Sequence, residues 1–327
     1  MSSEQNDFIY VTTFRQLELT EPIREFQLLP GVRITNDPAT KRRLLTSELA
    51  RFAGAIEYSH LETTPNLVFG EFGKSFVRAS SAENALKSVL LWISWLFKNA
   101  WLVKDHAMRC EGAYLTFRTA SGGPVWTNNS LASSPTFADG TSHRTVEMSV
   151  PDLTLWRETN HSVETYLHEK ASSSLQFMMQ KDYARSGRAM EFVNTARTAR
   201  NIAIKIANYC SALETLFTTD SIELSHKLAE RVAFFLDSRG ENRATVFRSI
   251  KKLYGIRSKV VHGDVLQPRQ IEELPLLSVQ CDNYLRAILK AIFESDELKE
   301  VFDSRRETVE EYFTELILGP SKADING

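Results

Sequence analysis

Apolar residues at positions 189, 193, 196, 199, 203, 206, 210, 213 and 217 recur every three or four residues. That spacing puts them on one side of an α-helix, and a side buried in this way needs other helices packed against it. The following sequence supplies them. Asp220 with Glu223 three residues later matches a capping box opening a second helix, on which Leu224, Leu228, Val232 and Phe235 recur. A third runs from about Ala244 to His262 and stops at Gly263. Pro275 stands in the first turn of a fourth, with Leu277, Leu285, Ile288, Leu289 and Ile292, and a fifth carries Phe302, Val309, Phe313, Leu316 and Ile317. Five amphipathic helices predict an all-α bundle over residues 181–327.

The first 180 residues read differently. Strand-like stretches cover Phe8 to Thr13, Arg24 to Leu29 and Asn66 to Val77, then Gly112 to Thr119 and Thr145 to Val150. Ser81 to Val103 has helical spacing, and its Trp92 and Trp95, with Trp101, read as core. Thr127 to His143 is rich in Ser, Thr, Asn and Gly and reads as a long loop. The chain is therefore expected to be α+β: a mixed, β-rich domain at 1–180 that senses, restrains or binds a partner, then a helical domain at 181–327.

Three cysteines with no CxxC pair argue against a zinc knuckle or a disulfide framework and fit a reducing cytoplasm. The N-terminus lacks a secretory signal pattern, and the run Val89 to Phe97 is too short to span a bilayer. His106 and Cys110 share a helical face, but two ligands do not make a zinc site. No GxGxxG, P-loop or GxSxG pattern occurs, so nucleotide hydrolysis and serine chemistry have no support; neither a metal nor a cofactor is expected.

A net charge of −2 excludes binding to nucleic acid by bulk charge, so any such affinity must come from a patch. Seven basic residues lie between Arg239 and Lys259 against Glu241 alone, whereas Glu294 to Glu315 holds nine acids against three bases. Such faces either complement each other within or between subunits, or the basic one binds phosphate.

The segment Leu253-Tyr-Gly-Ile-Arg-Ser-Lys-Val-Val-His-Gly263 carries the chemistry. Metal-free RNA cleavage needs a proton acceptor for the 2′-hydroxyl, a proton donor for the leaving oxygen, and cations for the charged phosphoryl group. Histidine as a residue type can carry the proton either way near neutral pH and arginine stays charged in a fork that matches phosphate, so His262 and Arg257 are residues of the right kinds. On an ideal helix the two stand roughly 140° apart. Either the Arg side chain curls round, or the Gly263 terminus distorts the last turn, or a second subunit completes the site. Glu214 falls on the apolar stripe, so its carboxylate needs a partner, Arg231 or Arg257. The bland reading is that His262 caps the last carbonyls of its helix and Arg257 belongs to an ion pair.

Together with Ala212-Leu-Glu-Thr-Leu-Phe217 and Asp220-Ser-Ile-Glu-Leu-Ser-His-Lys-Leu-Ala-Glu-Arg-Val-Ala233, this segment resembles the ApeA-like branch of the HEPN superfamily, over about residues 185 to 320. The resemblance implies an all-helical domain that dimerises so that Arg and His of both subunits face one cleft. It further implies a metal-independent endoribonuclease, leaving a 2′,3′-cyclic phosphate and a 5′-hydroxyl, with tRNA or other single-stranded RNA loops as target in bacterial anti-phage (abortive infection) defence. Carried onto this chain, Arg257 would hold the scissile phosphate and His262 would move the proton. Glu214 would position the Arg, and Lys251, Lys252 and Lys259 would track backbone phosphates. Many HEPN nucleases have Asn, Asp or His after the Arg; here Ser258 stands there in a supporting place. The alternative is a non-catalytic HEPN-fold dimeric interaction or nucleotide-sensing module. Nothing in residues 1–180 names the trigger or ligand.

Overall fold

A computed structural model describes residues 8–73, 82–118, 124–131, 134–170, 184–220, 222–237 and 240–319. It divides into two compact units, one of residues 1–135 and 143–161, the other of 136–142 and 162–327. The boundary expected at residue 180 lies outside the described residues. The first unit is mixed α+β and the second is largely helical.

In the first unit, β1 (Phe8–Thr12), β3 (Phe26–Leu29), β4 (Val32–Thr35), β5 (Leu67–Phe72), β6 (Ala113–Arg118) and β7 (Pro124–Asn129) form one sheet in the order β3-β4-β5-β1-β6-β7. Every pairing in it is antiparallel. A separate parallel pair joins β2 (Leu17–Leu19) to β8 (Val146–Met148). Successive strand side chains point to opposite faces, and both faces here are apolar. Phe8 and Tyr10 of β1, Val68 and Phe72 of β5 and Leu115 of β6 pack with Leu86, Val89, Leu90, Ile93 and Leu96 of α4 (Ala82–Val103). Val11, Leu67, Phe69 and Tyr114, one position out of phase, pack instead with Leu44, Leu49 and Leu61. Those three come from α1 (Pro38–Leu44), α2 (Ser47–Ala53) and α3 (Ala55–Thr63). These short helices were not expected from the sequence, nor were β4, β7 and α5 (Val150–Lys170). β7 takes the start of the expected Thr127–His143 loop. Trp101 is fully buried, while Trp92 and Trp95 are half-buried.

Gly70 pairs with Tyr10 across the sheet. A Cβ there would stand 1.8 Å from the Gly31 carbonyl oxygen, which also accepts a 3.0 Å hydrogen bond from the Tyr10 hydroxyl. A backbone atom cannot swing aside as a side chain can. Gly70→Ala is therefore expected to destabilise this unit by about 3 kcal/mol, measured by denaturant unfolding.

The second unit contains α6 (Arg185–Thr198), α7 (Ile202–Phe217), α8 (Leu224–Leu236), α9 (Arg243–His262), α10 (Pro268–Glu294), α11 (Asp296–Asp303) and α12 (Arg306–Leu318). The stripe from 189 to 217 is thus two packed helices, not one. In a continuous helix the Arg197 carbonyl would accept from the N–H four residues on. Here it accepts from Thr136 N–H at 2.8 Å and from the Thr136 hydroxyl at 3.2 Å. The buried Lys205 ammonium donates to that same hydroxyl at 2.8 Å, and Asn201 caps α7 by accepting from Ala203 and Ile204. Both halves of the stripe still bury their apolar side.

Three further boundaries differ from expectation. Glu223 precedes α8 in a left-handed conformation with no side-chain cap, while Asp220 accepts from Ile222 N–H and pairs with Lys227 at 2.8 Å, so no capping box forms. Pro275 lies inside α10, and Pro268 occupies the first turn. The expected fifth helix is divided into α11 and α12, with the Ser295 hydroxyl capping the first. The third helix ends at Gly263, as its sequence indicates.

Candidate functional site

Two helices build the site. α9 buries Val246, Ile250, Leu253 and Ile256, and this side packs on α7 and α8. Arg257 lies on the α7 side: its Nη2 donates to Glu214 Oε2 at 3.1 Å, and its Nε stands 3.1 Å from Oε1, off the line of its N–H. Arg231 takes a different carboxylate, Glu310, at 2.5 Å. Of the two partners open to Glu214, packing therefore selects Arg257. Their side chains are 23% and 19% exposed, so the pair is largely sheltered from screening. The Arg257 guanidinium also lies over the Tyr254 ring, 5.4 Å from its centroid. Sequence reasoning missed Tyr254, although its position three residues before Arg257 put it on the same face.

Burial raises the Glu214 pKa above its ordinary 4.5, against the pull of the Arg257 charge and hydrogen bond. Burial also raises that of Tyr254, with the Glu214 charge adding to it. The sign for Glu214 follows from linkage. A carboxyl that holds its proton more tightly when folded contributes stability at low pH, and loses it as pH rises from 4.5 through its raised value. Glu214→Gln removes that titration. The variant's denaturation midpoint is expected to gain on the wild type's between pH 4 and pH 7; a constant gap would contradict this.

His262 occupies the last position of α9 and is exposed, with no hydrogen bond or ion pair among the described residues. It does not cap its helix. The Lys259 carbonyl is taken by Gly263 N–H and by Asp264 N–H at 2.8 Å, in a turn that needs the left-handed φ of +79° at Gly263. The helix is regular through His262, so Gly263 does not bend the last turn, and Arg257 reaches toward Glu214 rather than curling to His262. One protomer does not bring Arg257 and His262 together.

The lysines share the His262 side. Arg248, Lys251, Lys252, Lys259 and His262 fall within roughly 100° of one another around α9, almost opposite Arg257. Arg248 and Lys251 are exposed without a partner among the described residues. Lys252 pairs with Glu273 at 2.6 Å, and Lys259 donates to Gln270 at 2.9 Å, which leaves its charge uncompensated. Ser258 is half-buried beside this stripe. Exposed apolar side chains flank the end of the helix: Val261 at 57%, Val265 at 81% and Ile271 at 54%. The acidic sequence forms a separate surface, a cleft of about 580 Å³ lined by Asp220, Glu307, Glu310, Glu311, Glu315 and Arg306. A polyanion is repelled there.

His106 and Cys110 serve the first unit's interior. His106 Nε2 meets the Phe97 carbonyl at 3.0 Å and Nδ1 accepts from Met108 N–H at 3.1 Å, while the Cys110 thiol lies 3.1 Å from the Thr12 hydroxyl. No group of three or more metal-ligating side chains occurs among the described residues. No helix among them is long and apolar enough to cross a membrane. No protein-family model, curated protein or solved structure matches the chain.

Proposed function

We propose that the helical unit is a HEPN-type endoribonuclease of the ApeA-like kind, cutting tRNA or other single-stranded RNA loops as a homodimer, in anti-phage (abortive infection) defence. The observation that carries this reading is His262, exposed and unengaged at the end of a helix whose outward stripe is basic. A histidine with neither capping nor packing work at a cationic surface is available for proton transfer to a bound polyanion. Arg257 and His262 lie on different sides of one α9, so a second copy of the helix has to bring the guanidinium and imidazole into one groove. The apolar side chains Val261, Val265 and Ile271 are what such a seam would bury.

In that groove Arg257, oriented by Glu214 and Tyr254, holds the scissile phosphate. His262 of the two copies takes the 2′-hydroxyl proton and supplies the proton to the leaving 5′-oxygen. Lys251, Lys252, Lys259 and Arg248 neutralise neighbouring phosphates, so binding weakens as salt rises.

One observation favours the non-catalytic module: the Arg257 fork is already engaged by Glu214. Incubating total tRNA with the wild type, Arg257→Ala and His262→Ala separates the two. Loss of cleavage in both variants supports the nuclease, and equal cleavage by all three removes these residues from the mechanism. A folded wild type that cuts no RNA favours the module.

A further inference from the structure

The first unit holds a cleft of about 450 Å³, bounded by Thr13 after β1, Glu57 and His60 of α3, Glu111 and Tyr114 beside and within β6, and Asn128 of β7. A cleft of this size suits a small organic ligand rather than a single ion. We infer that it binds a small polyhydroxylated compound without phosphate, a sugar or a nucleoside.

The lining argues for hydroxyl groups. Among the described residues Leu61 is the one large aliphatic side chain on it, so an apolar ligand finds little to bury against. Thr13 is 4% exposed, its hydroxyl 2.7 Å from that of Thr64, and Asn128, exposed, stands opposite Tyr114 across the sheet. Amide and hydroxyl groups of this kind both donate and accept, as a ligand hydroxyl does. His60 is half-buried on the lining, and its ring carries one donor and one acceptor when neutral.

The charges argue against phosphate. Glu111 is held by Arg15 at 2.5 Å and Arg109 at 3.3 Å, so the two nearby guanidiniums are engaged. Glu57 is exposed at the cleft with no ion-pair partner among the described residues. Among the described residues no arginine or lysine lines the cleft, and a phosphate ester brought there meets an uncompensated carboxylate.

The proposal does not depend on the nuclease reading, since it concerns the other unit. It is tested on the full chain by saturation-transfer NMR and calorimetry with adenosine, cytidine, glucose and glucosamine, each beside its monophosphate ester. At least one unphosphorylated probe is expected to bind with a Kd below about 5 mM, more tightly than its ester. His60→Ala and Asn128→Ala should each weaken it about tenfold. Nucleoside and sugar arms identify the source of the hydroxyls. Asn128 is exposed, so its variant carries the test if His60→Ala does not fold. No binding by any of the four, esters bound as tightly, or variants binding like the wild type overturns the inference.

Discussion

Arg231→Ala is expected to destabilise the helical unit by about 2–3 kcal/mol, because it takes the buried donor from the Phe217 carbonyl, unpairs the half-exposed Glu310 and leaves a gap beside Phe313. Arg231 is 4% exposed and sits in α8. Its guanidinium donates to the Phe217 carbonyl at 2.9 Å, to the Thr219 hydroxyl at 3.3 Å and to Glu310 at 2.5 Å, and stacks 4.7 Å from the centroid of Phe313. The end of α7, the following turn and α12 are thus tied to one side chain. Phe217, Phe302 and Phe313 pack beside it as an aromatic cluster. Arg231→Lys keeps the charge but not the fork and should recover part of the loss. Burial acts to raise the Glu310 pKa, yet the hydrogen bonds from Thr219 and Arg231 outweigh it and leave the pKa below its ordinary 4.5. The pair's contribution is therefore present above pH 4.5 and lost as pH falls through the depressed value. Glu310 is 42% exposed, so screening reduces this pH-dependent part. Thermal unfolding checks the main effect: a midpoint lowered by on the order of 10 °C is expected, and an unchanged midpoint would show the cluster to be redundant.

His262→Ala should behave in the opposite way. The side chain is exposed and touches no described partner, so the expected change in stability is within about 0.5 kcal/mol. If it transfers the proton, the cleavage rate falls by about 10² to 10⁴-fold. A merely structural histidine cannot produce that split between rate and stability. Arg257→Ala lowers the rate too, but it also leaves the carboxylate of Glu214 without its cation, so its effects on rate and stability arrive together.

Local signals were legible, and signals decided at a distance were not. The end of α9 could be read because Gly263 alone tolerates the left-handed turn that closes it. The alternation in β1 was readable as strand, since each of its faces meets its own core. The break between α6 and α7 was not, because Thr136, 61 residues away, takes the Arg197 carbonyl. Helices α1 and α2 were passed over although Asp37 and Thr46 cap them through Thr40 and Leu49 N–H. Seven residues each are too few for a periodic stripe to stand out. At the site, the angle between Arg257 and His262 followed from helix geometry alone. The choice of Arg257 over Arg231 for Glu214 did not, since it depends on how α9 lies against α7.

Crosslinking tests the composite groove most directly. Cys210 and Cys281 are buried and Cys110 is half-buried, so a His262→Cys variant adds one exposed thiol to a quiet background, with the wild type as control. Two-fold packing of α9 predicts a covalent dimer with a short bismaleimide, formed through residue 262 and suppressed when tRNA fills the groove. A variant that stays monomeric, at protein concentrations where the wild type cuts tRNA, would contradict a shared site.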